Sequence, residues 1–280
     1  MTERPEQIQS RLAGLDQIGQ VTSALNAIAS GQSAAARGAL PAISAHAATV
    51  ADALAVAAAL ASAGPGGGEG PGGGEGPGLM LIVGAAQGFS GAYPARLAEA
   101  ARAALTPGTA VLAVGGRTLA ALADKGVAVL WSAEQAPLPE AVPDLASRIT
   151  DAILDLVGTH PGPIRALTGA ADPGGAPEIA TIFPPEVAPA RGALPDLTLP
   201  PAELLQGLLS EALFAAVART LMQGLAAEAQ ARMQAMANAR NNLRERRAKM
   251  QAAWQQARQE QMTTEMIELA SARPDAAAQD

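Results

Sequence analysis

The sequence predicts an α/β fold with long additional helices: an antiparallel coiled coil of the N- and C-terminal helices, with a Rossmann-like α/β domain inserted between them. Three observations support this prediction. Apolar residues recur every three or four positions near the N-terminus, short apolar runs alternate with helical patterns in the middle, and no proline interrupts residues 202–270. A terminal helix with a narrow apolar seam is stable only against a partner, so each should pack on the other.

The first 63 residues are predicted to form the N-terminal coiled-coil helix. Its apolar seam is Ile8, Leu12, Leu15, Ile18, Val21, Leu25 and Ile28. Pro41 is expected to bend or break the helix near Leu40, because proline removes a backbone donor and clashes with the preceding turn. We therefore expect a long first arm and an alanine-rich second arm.

Two segments are predicted to be neither helix nor strand. Residues 64–78 contain the sequence PGGGEG twice and are predicted to be a flexible linker, since they offer no side chains to bury. Residues 184–201 hold six prolines and are predicted to be an extended connector.

Between these segments, residues 79–183 are predicted to form a small domain with a parallel sheet. Strands are expected at 79–83, 110–114, 127–131, 164–167 and 179–183, and helices at 95–105, 118–125 and 144–157. Gly126 is well placed to end the second of these helices.

The C-terminal coiled-coil helix and its tail are predicted over residues 202–280. Its first part is strongly apolar and should pack on the sheet domain or the first arm, whereas its second part is basic with a sparse seam. We expect residues 6–40 to pair antiparallel with the distal half of 202–270. The predicted seam residues of this pairing are Leu25, Ile28, Met233, Met236, Met250 and Trp254.

Composition excludes several kinds of chemistry. The chain has no cysteine and two histidines, which makes thiol catalysis, iron–sulfur clusters and the usual zinc sites implausible. No pair of carboxylates suggests an acid–base site, so we expect no catalytic residue, cofactor or metal. No signal peptide or membrane-spanning helix is expected, because the most apolar stretch, 47–63, is short and mostly alanine.

Two motifs leave alternatives open. Gly84, Gly88 and Gly91 follow the first predicted strand and favour a tight turn, although glycines there also suit a nucleotide-binding α/β enzyme with helical extensions. The basic run Arg240–Lys249 favours contact with an acidic protein surface, although a nucleic-acid-binding coiled coil is the alternative.

Several stretches resemble the gamma subunit of the F-type ATP synthase. Residues 228–238 (EAQARMQAMAN) are similar to the family pattern SE…ARM.AM..A, and residues 257–271 (ARQEQMTTEMIELAS) to ARQ..IT.E..EI..GA. Residues 20–30 (QVTSALNAIAS) resemble QITKAM.MVAAS, and residues 84–91 (GAAQGFSG) resemble SDRGLCGG. Ser23 and Gln32 replace lysines of the family, and Ala86 and Gln87 replace its acidic–basic pair. These departures favour a diverged paralogue, such as that of an alternative or sodium-type ATPase.

The resemblance implies a non-catalytic central rotor stalk that couples ion translocation to ATP synthesis or hydrolysis. The coiled coil would be its shaft, inside a hexamer of alpha and beta subunits, and the α/β domain its foot, bound to the epsilon subunit and the c-ring. It also implies that Arg258, Gln259 and Thr263 contact a loop of one beta subunit. The expected location is the cytoplasmic face of the bacterial inner membrane, with no nucleic acid and with membrane association only through the complex.

Overall fold

The computed structural model describes residues 4–63, 74, 76–170, 172, 174–190 and 198–271. In chain order, the long helix α1 comes before an α/β domain and the long helix α5 follows it. The elements are α1 Pro5–Ala63, β1 Leu79–Val83, α2 Tyr93–Ala104, β2 Ala110–Val114, α3 Gly116–Asp124, β3 Trp131–Ala133, α4 Val142–Val157, β4 Ile164–Thr168, β5 Glu178–Phe183 and α5 Pro201–Ser271. The chain forms two compact units, residues 28–235 and residues 1–27 with 236–280.

Five strands form one mixed sheet in the order β3-β2-β1-β4-β5. The first four strands are parallel, and β5 runs antiparallel to β4 at one edge. The central strand β1 is buried along its whole length, because helices cover both faces of a parallel sheet.

The alternation of side chains along β1 divides the core into two layers. Leu79, Leu81 and Val83 pack with α4 and the first half of α5 on one face. Met80 and Ile82 pack with α2 and α3 on the other face. The sheet is therefore covered on one side by the C-terminal helix of the chain itself.

The predicted antiparallel pairing of the terminal helices is confirmed in the 28–235 unit, and one ion pair joins the two helices in the other unit. In the 28–235 unit, Gln32 bonds Arg232 and His46 bonds Glu211, so partner numbers on α5 fall as those on α1 rise. In the other unit, Asp16 forms an ion pair with Arg247 at 2.9 Å between Oδ1 and Nε.

The face of α1 that packs agrees with the predicted seam at the buried Ile8 and the half-buried Leu12, Leu15 and Leu25, but departs from it at other positions. Ile28 is 58% exposed and Ile18 and Val21 are also exposed, whereas Thr22, Ala29 and the small residues that continue this stripe are buried. The prediction of Ile28 as a seam residue is corrected to Ala29, one position along the helix. Small residues let two helix backbones approach closely. The buried face of this part of α1 therefore carries small side chains, while the larger Ile18, Val21 and Ile28 are exposed.

Two further local predictions need correction. Helix α1 does not break at Pro41, since Leu40 and Ile43 pack against the core on either side of the proline and compensate the lost backbone bond. A bend at Pro41 stays a prediction. The third strand is Trp131–Ala133 rather than 127–131, because Val127 and Val129 pack against the α2–α3 side of the sheet before the strand begins.

The predicted linker, connector and tail are described only in part. Residues 64–73, 75, 191–197 and 272–280 lie outside the described residues. Within the described part of the linker, the carbonyl of Pro77 accepts a hydrogen bond from Gly162 at 3.0 Å. The predicted domain boundaries stay a prediction.

Both long helices contain a window that is long and apolar enough to cross a membrane, by length and composition alone. Helices of a protein core meet the same criterion, and both helices bury side chains such as Leu54 and Leu221. The expectation that neither spans a membrane therefore stays a proposal.

Two glycines of α5 are expected to respond oppositely to alanine. A Cβ atom at Gly224 would overlap Val83 of β1, whereas one at Gly207 would meet open space. Gly224→Ala should lower the free energy of unfolding by about 1–3 kcal/mol. Gly207→Ala should raise it by about 0.5–1 kcal/mol through helix propensity. Urea unfolding of both variants checks this, and equal stabilisation would show that α5 does not approach β1 so closely.

Candidate functional site

The loop that follows β1 lies between the sheet and the two long helices. It begins at Gly84, where a Cβ atom would overlap the side chain of Thr118, and that hydroxyl accepts a hydrogen bond from the Ala85 amide at 2.8 Å. The glycine is needed for this close approach to α3. The loop is thereby turned towards α5.

A carboxylate of α5 binds this loop. The Glu228 oxygens accept hydrogen bonds from the backbone amides of Ala86 at 3.3 Å and Gln87 at 3.1 Å, and from Arg232 one helical turn later. The side chains of Glu228 and Arg232 are each 5% exposed. The charges are therefore almost fully removed from water.

Arg232 extends the contact to α1. Its Nη1 donates to Oε1 of Gln32 at 3.0 Å, and its Nε donates to the carbonyl of Gly88 at 3.4 Å. We call Gln32, Glu228, Arg232 and loop residues 86–88 the polar junction. It connects the loop after β1 to both long helices through the hydrogen bonds of the Glu228 and Arg232 side chains.

Electrostatics in the polar junction are dominated by burial. Desolvation raises the pKa of Glu228 above its ordinary value, while the Gln87 amide, the charge of Arg232 and the Ala86 amide oppose this effect. A buried ion pair costs desolvation and contributes little net stability, but loss of either partner leaves the other charge uncompensated. The arrangement therefore acts as a structural link between three elements.

The same geometry disfavours the nucleotide-binding alternative. Open α/β sheets bind ligands beyond the carboxyl ends of their strands, where glycine-loop amides can hold a phosphate. Here the Ala86 and Gln87 amides of that loop hold the Glu228 carboxylate, and α5 fills the space next to Val83. The loop binds the chain's own helix in place of a phosphate.

The predicted seam residues of α1 and α5 differ in how far their side chains are buried. Met236 is buried, whereas Leu25, Met233, Met250 and Trp254 are half-buried in their own units. With Ile28 exposed, five of the six seam residues face at least partly inward.

The three residues expected to contact a beta subunit are all exposed near the end of α5. Thr263 donates its hydroxyl to the carbonyl of Gln259 at 2.9 Å, so these two lie one turn apart on the same side. The guanidinium of Arg258 instead lies 5.3 Å from the ring centre of Trp254, on its own helix. The structure thus brings Gln259 and Thr263 together and turns Arg258 towards the tryptophan.

The basic run lies beside a groove of about 180 Å³ in the unit of residues 1–27 and 236–280. Residues of α1, among them Asp16, Gly19 and Ser23, form one wall, and Arg240, Arg244 and Arg247 lie on the other. Asp16 already pairs with Arg247 there, and Arg240 and Arg244 add two further guanidinium groups to the lining.

Sequence reasoning missed the polar junction, although the signal is visible. Glu228 and Arg232 are the only charged residues between Arg219 and Arg240, and they stand four positions apart. Opposite charges at that spacing in an otherwise apolar helix indicate a buried pair. In the sequence, Gln32 stands out only as the replacement of a lysine of the family.

Comparison with known proteins gives a consistent result. A family model described as ATP synthase matches residues 4–273. A chain of the Euglena gracilis mitochondrial ATP synthase rotor, rotational state 1, is 11% identical, with a TM-score of 0.64, covering 92% of this chain and 98% of that chain. A chain of the OSCP/F1/c-ring structure from the same organism, rotational state 3, is 11% identical, with a TM-score of 0.62, covering 99% and 98%. No curated protein sequence matches. At this identity the structural similarity establishes the fold.

Proposed function

Because the chain belongs to the gamma-subunit family of the ATP synthases, we propose that it works as the central rotor stalk of an F-type complex, with paired α1 and α5 as the shaft. The family is a rotor component of an enzyme complex. The observation that carries the proposal is the match of the family model over nearly the whole chain, together with the antiparallel helices and inserted sheet.

The proposed partners are the alpha and beta subunits around the shaft, and the epsilon subunit and c-ring at the foot. Support comes from the two solved structures, one titled as the rotor and one as OSCP, F1 and c-ring, since each contains a chain of this fold. The basic groove at Arg240, Arg244 and Arg247 suits an acidic surface of such a partner.

Rotation of an asymmetric rod inside a ring couples mechanical and chemical states. Different faces of the rod make different contacts with each ring subunit, and a difference in contact free energy shifts each subunit's conformational equilibrium. We propose that Gln259, Thr263 and Arg258 supply such a contact to one beta subunit. The polar junction would keep the foot and the two helices moving together.

We further propose that this chain carries no catalytic residue of its own. The loop amides that would best hold a phosphate are bonded to Glu228, so ATP chemistry would take place on the ring subunits. The chain would contribute coupling, with no cofactor.

The family forms part of the peripheral F1 domain of a membrane-bound complex. We propose the cytoplasmic face of the bacterial inner membrane for this chain, reached through the complex. The replaced lysines at Ser23 and Gln32 support a diverged paralogue, such as that of an alternative or sodium-type ATPase.

Affinity purification of the tagged chain from its native membrane tests this proposal. We expect alpha and beta subunits to copurify in a complex that hydrolyses ATP. Recovery of the chain with a bound nucleotide but without these subunits would favour the nucleotide-binding enzyme, and recovery with nucleic acid would favour the nucleic-acid-binding coiled coil.

A further inference from the structure

A cavity of about 340 Å³ lies at the carboxyl end of β4, inside the 28–235 unit. Side chains of α1, β4, β5 and α5 line it. Strands β1 and β4 are neighbours in the sheet, but α2 follows β1 on one face whereas α4 precedes β4 on the other. Open α/β sheets bind their ligands where the connections of adjacent parallel strands change face in this way. The cavity therefore lies at the position in the fold that favours a small-molecule site.

Thr168, the last residue of β4, places a buried hydroxyl at this cavity. Ile164 and Ala166 pack in the layer of α4 and α5, so the alternation along the strand puts Thr168 on the same face. Thr168 is 7% exposed, and its hydroxyl makes no hydrogen bond to any residue that the structure describes. A buried hydroxyl without a partner is costly, which indicates that a bound molecule completes its hydrogen bonding here.

Two opposite charges line the same cavity from different elements. The Nη2 atom of Arg37, on α1, donates to Oε1 of Gln230 at 3.1 Å, which leaves further guanidinium hydrogens for a ligand. Glu178 of β5 is the register partner of Thr168, so its carboxylate stands beside the hydroxyl on one face of the sheet. Within the described part of the chain, Arg37 and Glu178 form no ion pair with each other. Opposite charges that share a cavity without meeting leave room for a molecule that carries both.

We propose that this cavity binds a small zwitterion, an amino acid with an aliphatic side chain. Its carboxylate binds Arg37, its ammonium group binds Glu178, and its side chain packs on the apolar wall that includes Leu40 and Ala226. Ligand cavities in proteins begin at about 300 Å³, and a few fixed polar groups on an apolar wall orient the ligand. The inference goes beyond the rotor function, because it assigns a small ligand to the α/β domain itself.

Titration calorimetry of the full-length chain with L-leucine tests the proposal. We expect a dissociation constant of about 1 mM or tighter. The melting temperature of the chain should rise with leucine concentration, because the ligand binds only the folded state. Isocaproate lacks the ammonium group and isoamylamine lacks the carboxylate, so each should bind at least about tenfold more weakly. No binding of leucine, or equal binding of leucine and isocaproate, would overturn the proposal and leave the rotor function standing.

Two variants test whether leucine occupies this cavity. Glu178→Gln should lower the affinity for leucine to that for isocaproate and leave isocaproate binding unchanged, since only the ammonium contact is lost. Arg37→Gln should lower the affinity for leucine about tenfold and leave isoamylamine binding unchanged. Both side chains are exposed, so the melting temperature without ligand should stay that of the wild type.

Arg148→Gln, at an exposed arginine of α4 in the same unit, is the matched control and should bind leucine like the wild type. Wild-type affinity for leucine in Glu178→Gln or in Arg37→Gln would contradict the assigned site. A loss of affinity in Arg148→Gln as large as that in Arg37→Gln would do the same, because it would show a general effect of charge.

Discussion

Replacing Glu228 by alanine is expected to lower the free energy of unfolding of the chain by about 3–5 kcal/mol. The change leaves Arg232 buried without a counter-charge and the amides of Ala86 and Gln87 without their acceptor. The larger loss falls on the Arg232 charge, which water hardly reaches, whereas the half-buried Ala86 and the exposed Gln87 can recover part of their hydrogen bonding from solvent. Urea unfolding of the full chain measures the effect.

The matched control is Glu99→Ala. Glu99 also pairs with two basic residues, Arg102 and Lys125, but on the exposed face of α2, where water screens the charges. Its removal should change the stability little. The double variant Glu228→Leu with Arg232→Leu removes both charges and should recover part of the loss, because no uncompensated charge then remains. Equal effects of Glu228→Ala and Glu99→Ala would show that the polar junction is not buried as described.

Replacing Arg258 by alanine is expected to lower ATP hydrolysis by the assembled complex about tenfold, the effect of about 1.4 kcal/mol. A guanidinium can hold a carboxylate of the beta subunit through two parallel bonds, and this proposed contact is made only in the complex. The fold of the free chain should not change, since Arg258 is exposed and lies over the Trp254 ring of its own helix. Hydrolysis and ion pumping by the reconstituted complex, beside a circular dichroism melt of the free chain, measure both effects.

Two variants control this prediction. Arg219→Ala removes an exposed arginine of the same helix in the 28–235 unit, and should leave hydrolysis unchanged. Arg258→Lys keeps the charge but not the fork, and should restore only part of the activity. Wild-type hydrolysis by Arg258→Ala, or a melting temperature that falls in step with the activity, would contradict the assigned role.

The elements predicted well from sequence are those in which local pattern and burial agree. Strands β1 and β2 begin and end as predicted, because each is a continuous apolar run in a fully covered sheet. The prediction placed β3 too early, because the residues before the strand are also apolar. Only the packing of Val127 and Val129 on the α2–α3 side of the sheet shows that they precede the strand. Tertiary contacts decided that boundary.

The contact face of α1 and the polar junction show a different limit. Hydrophobicity alone predicted Ile28 as the contact residue, whereas the structure buries the smaller residues Ala29 and Thr22. The Glu228–Arg232 spacing was visible, but the loop amides and Gln32 that complete the junction come from positions about 140 and 200 residues away. No local pattern reports such contacts.

Rotation of single complexes tests the central claim most directly. Since the chain has no cysteine, Leu130→Cys provides a unique attachment point on the α/β domain, where Leu130 is 59% exposed. With the alpha–beta ring immobilised and ATP added, a probe at this position should rotate in one direction, in steps that follow the threefold arrangement of the ring. ATP hydrolysis by the assembled complex while the probe shows no directed rotation would contradict the assignment of this chain as the rotor.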